Sequence, residues 1–299
     1  MRKFKIIATS LAVSMCFMAI GCSSDTKTSA NEATMNSGEK DTDPTQETTT
    51  EPPTTAEETT SSSYAGNFSE FDTDIKEWGV GTNRLDDGRY EGPVYAQNKW
   101  GNDFKVDFIK ENEKVIYLTF DEGYENGYTP AILDTLKEKN VKAVFFVTMD
   151  YVKREPELVK RMIEDGHVVG NHSVSHPSMP TLSAEKMKEE ITGLHEYVKE
   201  NFNYDMFLFR PPMGHYSDQS LAVTESLGYT TVLWSFAHMD WDPDNQPSHE
   251  EALQTTIDRM HNGAIYLLHA VSESNTSILG QFIDKAEAEG YTFVEYTRN

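Results

Sequence analysis

Residues 115–123 read VIYLTFDEG, and the way polar groups follow the apolar ones there decides the fold. Val115 to Thr119 is a run the length of one buried strand. It leads through Phe120 into Asp121 and Glu122, on a turn closed by Gly123. Six further runs read as strands: 143–148 (AVFFVT), 167–171 (HVVGN), 207–210 (FLFR), 230–234 (TTVLW), 264–269 (AIYLLH) and 292–296 (TFVEY). Most are apolar throughout instead of alternating, as strands covered on both faces are. Helical periodicity fills the intervals. Ile132, Leu133 and Leu136 share one face, Leu158, Val159, Met162 and Ile163 another, and Met187, Ile191, Leu194 and Val198 recur at three-four spacing. Ser248 and Glu251 form a capping box, and Gly166, Gly228, Gly263 and Gly290 stand where helices stop. Alternating strand and helix implies a parallel sheet of the α/β class. Seven strands fall short of the usual eight, so the expected fold is a distorted seven-stranded (β/α) barrel; a doubly wound open sheet is the alternative.

Working outward, residues 67–112 scatter Phe68, Phe71, Trp78, Tyr90, Tyr95, Trp100, Phe104 and Phe108 among Gly, Asp and Asn without a period. They read as an irregular extension packed on a domain spanning 113–299; a separate carbohydrate-binding module would need its own core, which so short a segment seldom builds. Residues 23–66 are Thr, Ser, Glu, Asp and Pro with almost nothing to bury, the composition of a disordered tether. Residues 1–22 place Arg2, Lys3 and Lys5 before an apolar stretch from Ile6 to Ile20 and end in Ala19-Ile20-Gly21-Cys22. This resembles a bacterial lipoprotein signal, with Cys22 the lipidated residue; a signal cleaved without lipidation is the other reading. The expected location is outside the cytoplasm, on the outer face of the cell membrane.

The two cysteines, Cys16 and Cys22, both lie in that leader, so disulfides and thiolate chemistry are excluded from the remainder. A formal charge of −23 argues against nucleic acid as partner. A monomer is the default expectation.

Candidate chemistry clusters at the ends of the strands, the active mouth of such barrels. His172 and His176, four apart on a helical turn after the third run, project from one face and can bind one ion. With one carboxylate they leave positions open for water and substrate, as a catalytic metal site does. Arg210 closes the fourth run, Asp240 and Trp241 follow the fifth, and His269 ends the sixth.

Taken together, these residues resemble the polysaccharide deacetylases with a NodB-homology domain, carbohydrate esterase family 4, over about residues 115–296. The motifs appear in order: Thr119 to Gly123 (TFDEG), His172 to His176, Arg210 to Gly214 (RPPMG), Asp240-Trp241, and Leu267 to His269. The runs 123–129 (GYENGYT), 235–241 (SFAHMDW) and 263–272 (GAIYLLHAVS) are most similar to the muramic δ-lactam-forming peptidoglycan N-acetylmuramate deacetylases of spore-forming bacteria. The resemblance implies N-acetyl hydrolysis assisted by a divalent metal, zinc foremost with cobalt, manganese or magnesium as alternatives. His172 and His176 would hold it, with Glu122, where the family usually has Asp, as a third ligand. It implies Asp121 as base, Arg210 as its partner, His269 paired with Asp240 as acid, the Met213 N–H as an oxyanion donor and Trp241 as groove wall. Ala237 departs from the family's Asp. The alternatives are a glucosamine or chitin deacetylase, a xylan O-acetyl esterase, or a glycan-binding lipoprotein without activity.

Overall fold

The computed structural model describes residues 67–298; the segments read as signal and tether, with Cys22, lie outside the described residues. In chain order the elements are β1 (Lys76–Glu77), α1 (Glu91–Trp100), β2 (Val106–Asp107), β3 (Val115–Glu122), α2 (Thr129–Glu138), β4 (Val144–Val147), α3 (Met149–Arg154), α4 (Pro156–Glu164), β5 (Val168–Asn171), α5 (Ala184–Phe202), β6 (Leu208–Phe209), β7 (His215–Tyr216), α6 (Asp218–Ser226), β8 (Thr230–Val232), α7 (His249–Asp258), β9 (Ala264–His269), α8 (Glu273–Ala288) and β10 (Thr292–Phe293). Among the described residues no helix is long and apolar enough to cross a membrane.

Strands β3, β4, β5, β6 and β8 pair in that order, all parallel, and β9 pairs with the other edge of β3. The sheet curls until the chain leaving β8 meets β9. Phe236 bridges Tyr266, and the N–H groups of Ser235 and Phe236 both donate to the Ile265 carbonyl at 2.9 and 3.1 Å. This is the distorted (β/α) barrel, and its seam is filled from an unexpected place. β2, inside the segment read as irregular, runs parallel to β8, and Lys110 then donates its N–H to the Gly263 carbonyl at 2.9 Å. Gly263 has φ +69° and a Cβ there would sit 2.2 Å from the Glu111 carbonyl, so only glycine lets the extension approach β9. At the other end of the chain the strand read over 292–296 is only Thr292–Phe293, paired with the first residues of β3.

Alternation along the strands sorts side chains into two cores. Ile116, Leu118 and Phe120 face outward with Phe145, Val147 and Val169, and are covered by the predicted faces of α2 and α5: Ile132, Leu133, Leu136, Met187, Ile191, Leu194 and Val198 are all buried. Val144, Phe146, Val168, Leu208, Val232 and Ile265 face inward and fill the barrel. Truncating one of these to alanine would cost about 2–5 kcal/mol. The inward row is the one that matters for chemistry, because continuing it upward along each strand gives Asp121, Arg210 and His269.

The extension packs against this frame. β1 pairs antiparallel with β7, and Trp78 and Trp100 pack on the buried Phe108 with ring centroids 4.7 and 5.9 Å away.

Candidate active site

Arg210 is wholly buried at the end of β6, and each of its three guanidinium nitrogens donates a hydrogen bond. Nη1 donates to Asp121 Oδ1 at 2.8 Å, Nε to the Val232 carbonyl at 3.1 Å and Nη2 to the Leu233 carbonyl at 3.2 Å, while the Phe146 ring lies 4.2 Å below. A guanidinium held on three sides cannot swing away, so the carboxylate opposite is fixed as well. Burial alone would raise Asp121, but the Arg210 charge beside it, with that of His269, outweighs burial and holds the carboxyl below its ordinary range.

The free oxygen of that carboxylate, Oδ2, lies 3.6 Å from His172 Nε2. His172 Nδ1 donates to the Arg210 backbone carbonyl at 2.8 Å, which leaves the Nε2 lone pair toward Asp121. Burial pulls His172 down to about 4, with a smaller opposing pull from Asp121, so the ring is neutral at pH 7. His176 is lowered in the same way, by burial, and its ring stands edge-on to His172 with centroids 4.8 Å apart.

The two imidazoles do not come from a helical turn, as their spacing suggests. They sit in a loop in which Ser173 (φ 71°) and His176 (φ 57°) are left-handed. Such strain persists only where bonds impose it. Asn171 Oδ1 accepts the Ser173 N–H at 2.9 Å, Ser173 Oγ accepts the His176 N–H at 2.9 Å, and Glu190 on α5 accepts Ser175 N–H and Oγ–H at 2.8 and 2.6 Å.

Glu122 stands apart from this group. β3 continues through it, so Asp121 and Glu122 are successive strand residues and point to opposite faces. Asp121 enters the cleft; Glu122 is buried toward the helices, and neither carboxylate oxygen has a hydrogen-bond partner. Burial, reinforced by the nearby Glu125 and Asp121 charges, pushes its carboxyl well above the ordinary range. Among the described residues no three His, Cys, Asp or Glu side chains form a ligand set. As neutral nitrogen donors, His172 and His176 fit a divalent ion; Glu122 as its third ligand does not fit.

On the opposite wall, Asp240 is wholly buried and accepts from His269 twice, from Nδ1 at 2.7 Å and from the backbone N–H at 2.9 Å. Burial would lower His269, but the bond to Asp240 and its charge prevail and the imidazole is raised above 6.5. The sequence reading missed two further members. Asn275, at the start of α8, donates to Asp240 Oδ2 at 2.5 Å, and its other end meets His238 Nε2 at 3.0 Å. The cue was Ser272, the N-cap of α8, which places the third helical residue beside the end of β9.

Met213 (φ 59°) and Gly214 (φ 68°) turn the chain after β6. A Cβ on Gly214 would lie 2.7 Å from the Trp234 ring. The extension clasps this turn: Trp78 donates its backbone N–H to the Gly214 carbonyl at 3.1 Å and its indole N–H to the Trp234 carbonyl at 2.9 Å. The cleft enclosed by these walls has a volume of about 500 Å³, with Asp121, His172, His176 and His269 in its lining. Tyr124, Met213, Met239 and Trp241 are each about half exposed, and three of them, Tyr124, Met213 and Trp241, line the cleft as well. Such apolar faces suit the faces of sugar rings.

Comparison with known proteins places this geometry. A sequence profile described as Polysaccharide deacetylase matches residues 109–232. The peptidoglycan-N-acetylmuramic acid deacetylase PdaA of Bacillus subtilis (strain 168) is 47% identical over 182 residues, 60% of this chain and 69% of that protein. A peptidoglycan-N-acetylglucosamine deacetylase of Bacillus cereus is 33% identical over 189 residues, 62% of this chain and 88% of that one. The structure of B. subtilis PdaA, a family 4 carbohydrate esterase, superposes with a TM-score of 0.70 at 38% identity, covering 74% of this chain and 95% of that chain. The chain belongs to the polysaccharide deacetylase family, carbohydrate esterase family 4.

Proposed function

We propose that this hydrolase removes the N-acetyl group of muramic acid in peptidoglycan, releasing acetate and leaving a free amine that can close a muramic δ-lactam. The observation that carries the reading is the pairing of two opposed walls. One presents an ionised carboxylate, Asp121, locked by Arg210; the other presents an imidazole, His269, whose proton affinity is raised by Asp240. These are the two states an amide hydrolase needs of its base and its acid.

Asp121 Oδ2 accepts the proton of the attacking water while Oδ1 stays on Arg210. The Met213 backbone N–H meets the oxyanion as the acetyl carbon becomes tetrahedral. His269 Nε2 gives its proton to the departing nitrogen, and Asp240 balances the imidazolium beforehand. A divalent ion held by His172 and His176, zinc foremost, would supply Lewis-acid polarisation of the acetyl carbonyl. Trp241 forms the sugar-facing wall.

Muramic acid is favoured over glucosamine by the higher identity to the muramic acid deacetylase, 47% against 33% to the glucosamine enzyme. Action on the wall puts the protein outside the cytoplasm, and a lipid on Cys22 would tether it there. Asp121→Asn tests the assignment: turnover should vanish while the fold is kept, and activity within about twofold of the unmutated protein contradicts it.

A further inference from the structure

His238 lines the cleft, yet hydrolysis as described makes no use of it. Its setting fixes which nitrogen carries a proton. Asp240 is an acceptor, so the Asn275 end that meets it at 2.5 Å is the NH₂. The other end of that amide is therefore an oxygen, and His238 Nε2, 3.0 Å away, must donate to it. Asp240 Oδ2 lies 3.6 Å from the same nitrogen. One ring edge is thus spoken for. Nδ1 has no partner among the described residues and is not sealed from solvent.

Charge then narrows what Nδ1 can meet. The chain carries a formal charge of −23, and the cations nearest the cleft, Arg210 and His269, are already engaged by Asp121 and Asp240. An anionic substituent entering this cleft needs a local cation. No Lys or Arg lines it, and the cation-capable side chains are four imidazoles. His172 and His176 face Asp121 as neutral rings, and His269 is held by Asp240. His238 alone is left. Beside it, Ala237 and Val271 supply small apolar surface.

We propose that His238 is the residue by which this enzyme selects a carboxylate-bearing sugar: its unpartnered Nδ1 edge hydrogen-bonds the free carboxylate of the lactyl ether on the muramic residue, whose methyl group rests against Ala237 and Val271. Asn275 is the positioning residue that aims the ring. This rests on the muramic reading above and names the group that reads the substituent.

The test compares kcat/KM for two peptide-free glucosamine–muramic acid tetrasaccharides, one with free lactyl carboxylates and one with the same groups converted to primary amides. The unmutated protein should prefer the free acid by about tenfold, the scale of one charge-assisted hydrogen bond. In His238→Gln, which retains a donor for Asn275, that preference should fall to about one, with the loss on the acid appearing in KM. Equal losses on both substrates, or a preference that survives the substitution, would overturn the proposal. So would an unmutated protein that does not distinguish them. Should neither tetrasaccharide yield acetate while chitin tetrasaccharide does, the muramic reading falls and His238 with it, an outcome distinct from failure of His238 alone.

Discussion

Asp240 holds His269 at two points, its Oδ1 2.7 Å from Nδ1 and its Oδ2 2.9 Å from the backbone N–H of the same residue. The imidazole therefore has one orientation, with Nε2 as its free nitrogen, and binds its proton more tightly than an unperturbed histidine. If His269 is the acid, activity falls as pH rises through its raised pKa. Asp240→Asn should move that alkaline limb to lower pH and cut kcat on the order of 10²-fold. The stability term has matching sign. A histidine whose folded pKa is raised stabilises fully below its unfolded value and loses that contribution as pH climbs through the folded one. Thermal unfolding of the two proteins at pH 5 and pH 9 should thus differ more at the lower pH.

Arg210 and Asp121 are asymmetric under substitution. Removing the cation in Arg210→Met leaves a buried carboxylate without its partner, which costs about 3–5 kcal/mol. Asp121→Asn keeps an acceptor for Nη1 but leaves the buried Arg210 cation without its counter-charge, so it too should unfold at lower denaturant, by less than Arg210→Met because the Val232 and Leu233 carbonyls and the Phe146 ring still hold the guanidinium, with turnover lost. An unchanged midpoint in Arg210→Met would show that the pair is not the anchor described.

Glu122 gives a prediction of opposite sense. Its carboxyl is buried and unpartnered, so the unfolded chain releases that proton at lower pH than the folded one. This destabilises the native state progressively as pH rises above about 4.3, the unfolded value. Glu122→Gln should raise Tm at pH 7 and lose the advantage near pH 4. Bound zinc, measured by elemental analysis, should be unchanged in that variant and lost in His172→Ala and His176→Ala. Loss of zinc from Glu122→Gln would return the residue to the ligand set.

Trp78 ties the extension to the catalytic turn by two hydrogen bonds. Trp78→Phe keeps the ring beside Phe108 and loses the indole bond to Trp234, a cost of about 1 kcal/mol. If the clasp sets the Met213–Gly214 turn, kcat should fall severalfold with KM little changed. A drop in stability with unaltered kcat would make the clasp purely structural.

What was legible in the sequence follows from length and periodicity. β3 to β5 and β9 are apolar runs bounded by polar ones, and the helices repeat at three-four spacing, so fold class and the inward residues Asp121, Arg210 and His269 could be placed. β2 has Val106 and Asp107 alone and offers no period, so the strand that fills the seam was invisible. Glu122 was misplaced because a turn was assumed where the strand runs on by three residues, and in a strand one residue decides the face. The His172–His176 loop was misread because its left-handed residues are imposed by Glu190 and Asn171, partners that spacing does not reveal. Asn275 and His238 are joined only through tertiary contact.

Acetate released from purified peptidoglycan glycan, stripped of stem peptides and intact in parallel, decides between muramic acid and glucosamine as the substrate. Release should come mainly from stripped glycan, with an equal number of muramic amines or δ-lactams appearing. Release from intact glycan or chitin oligomers in its place would contradict the muramic assignment, and no acetate from any of them would contradict hydrolysis itself.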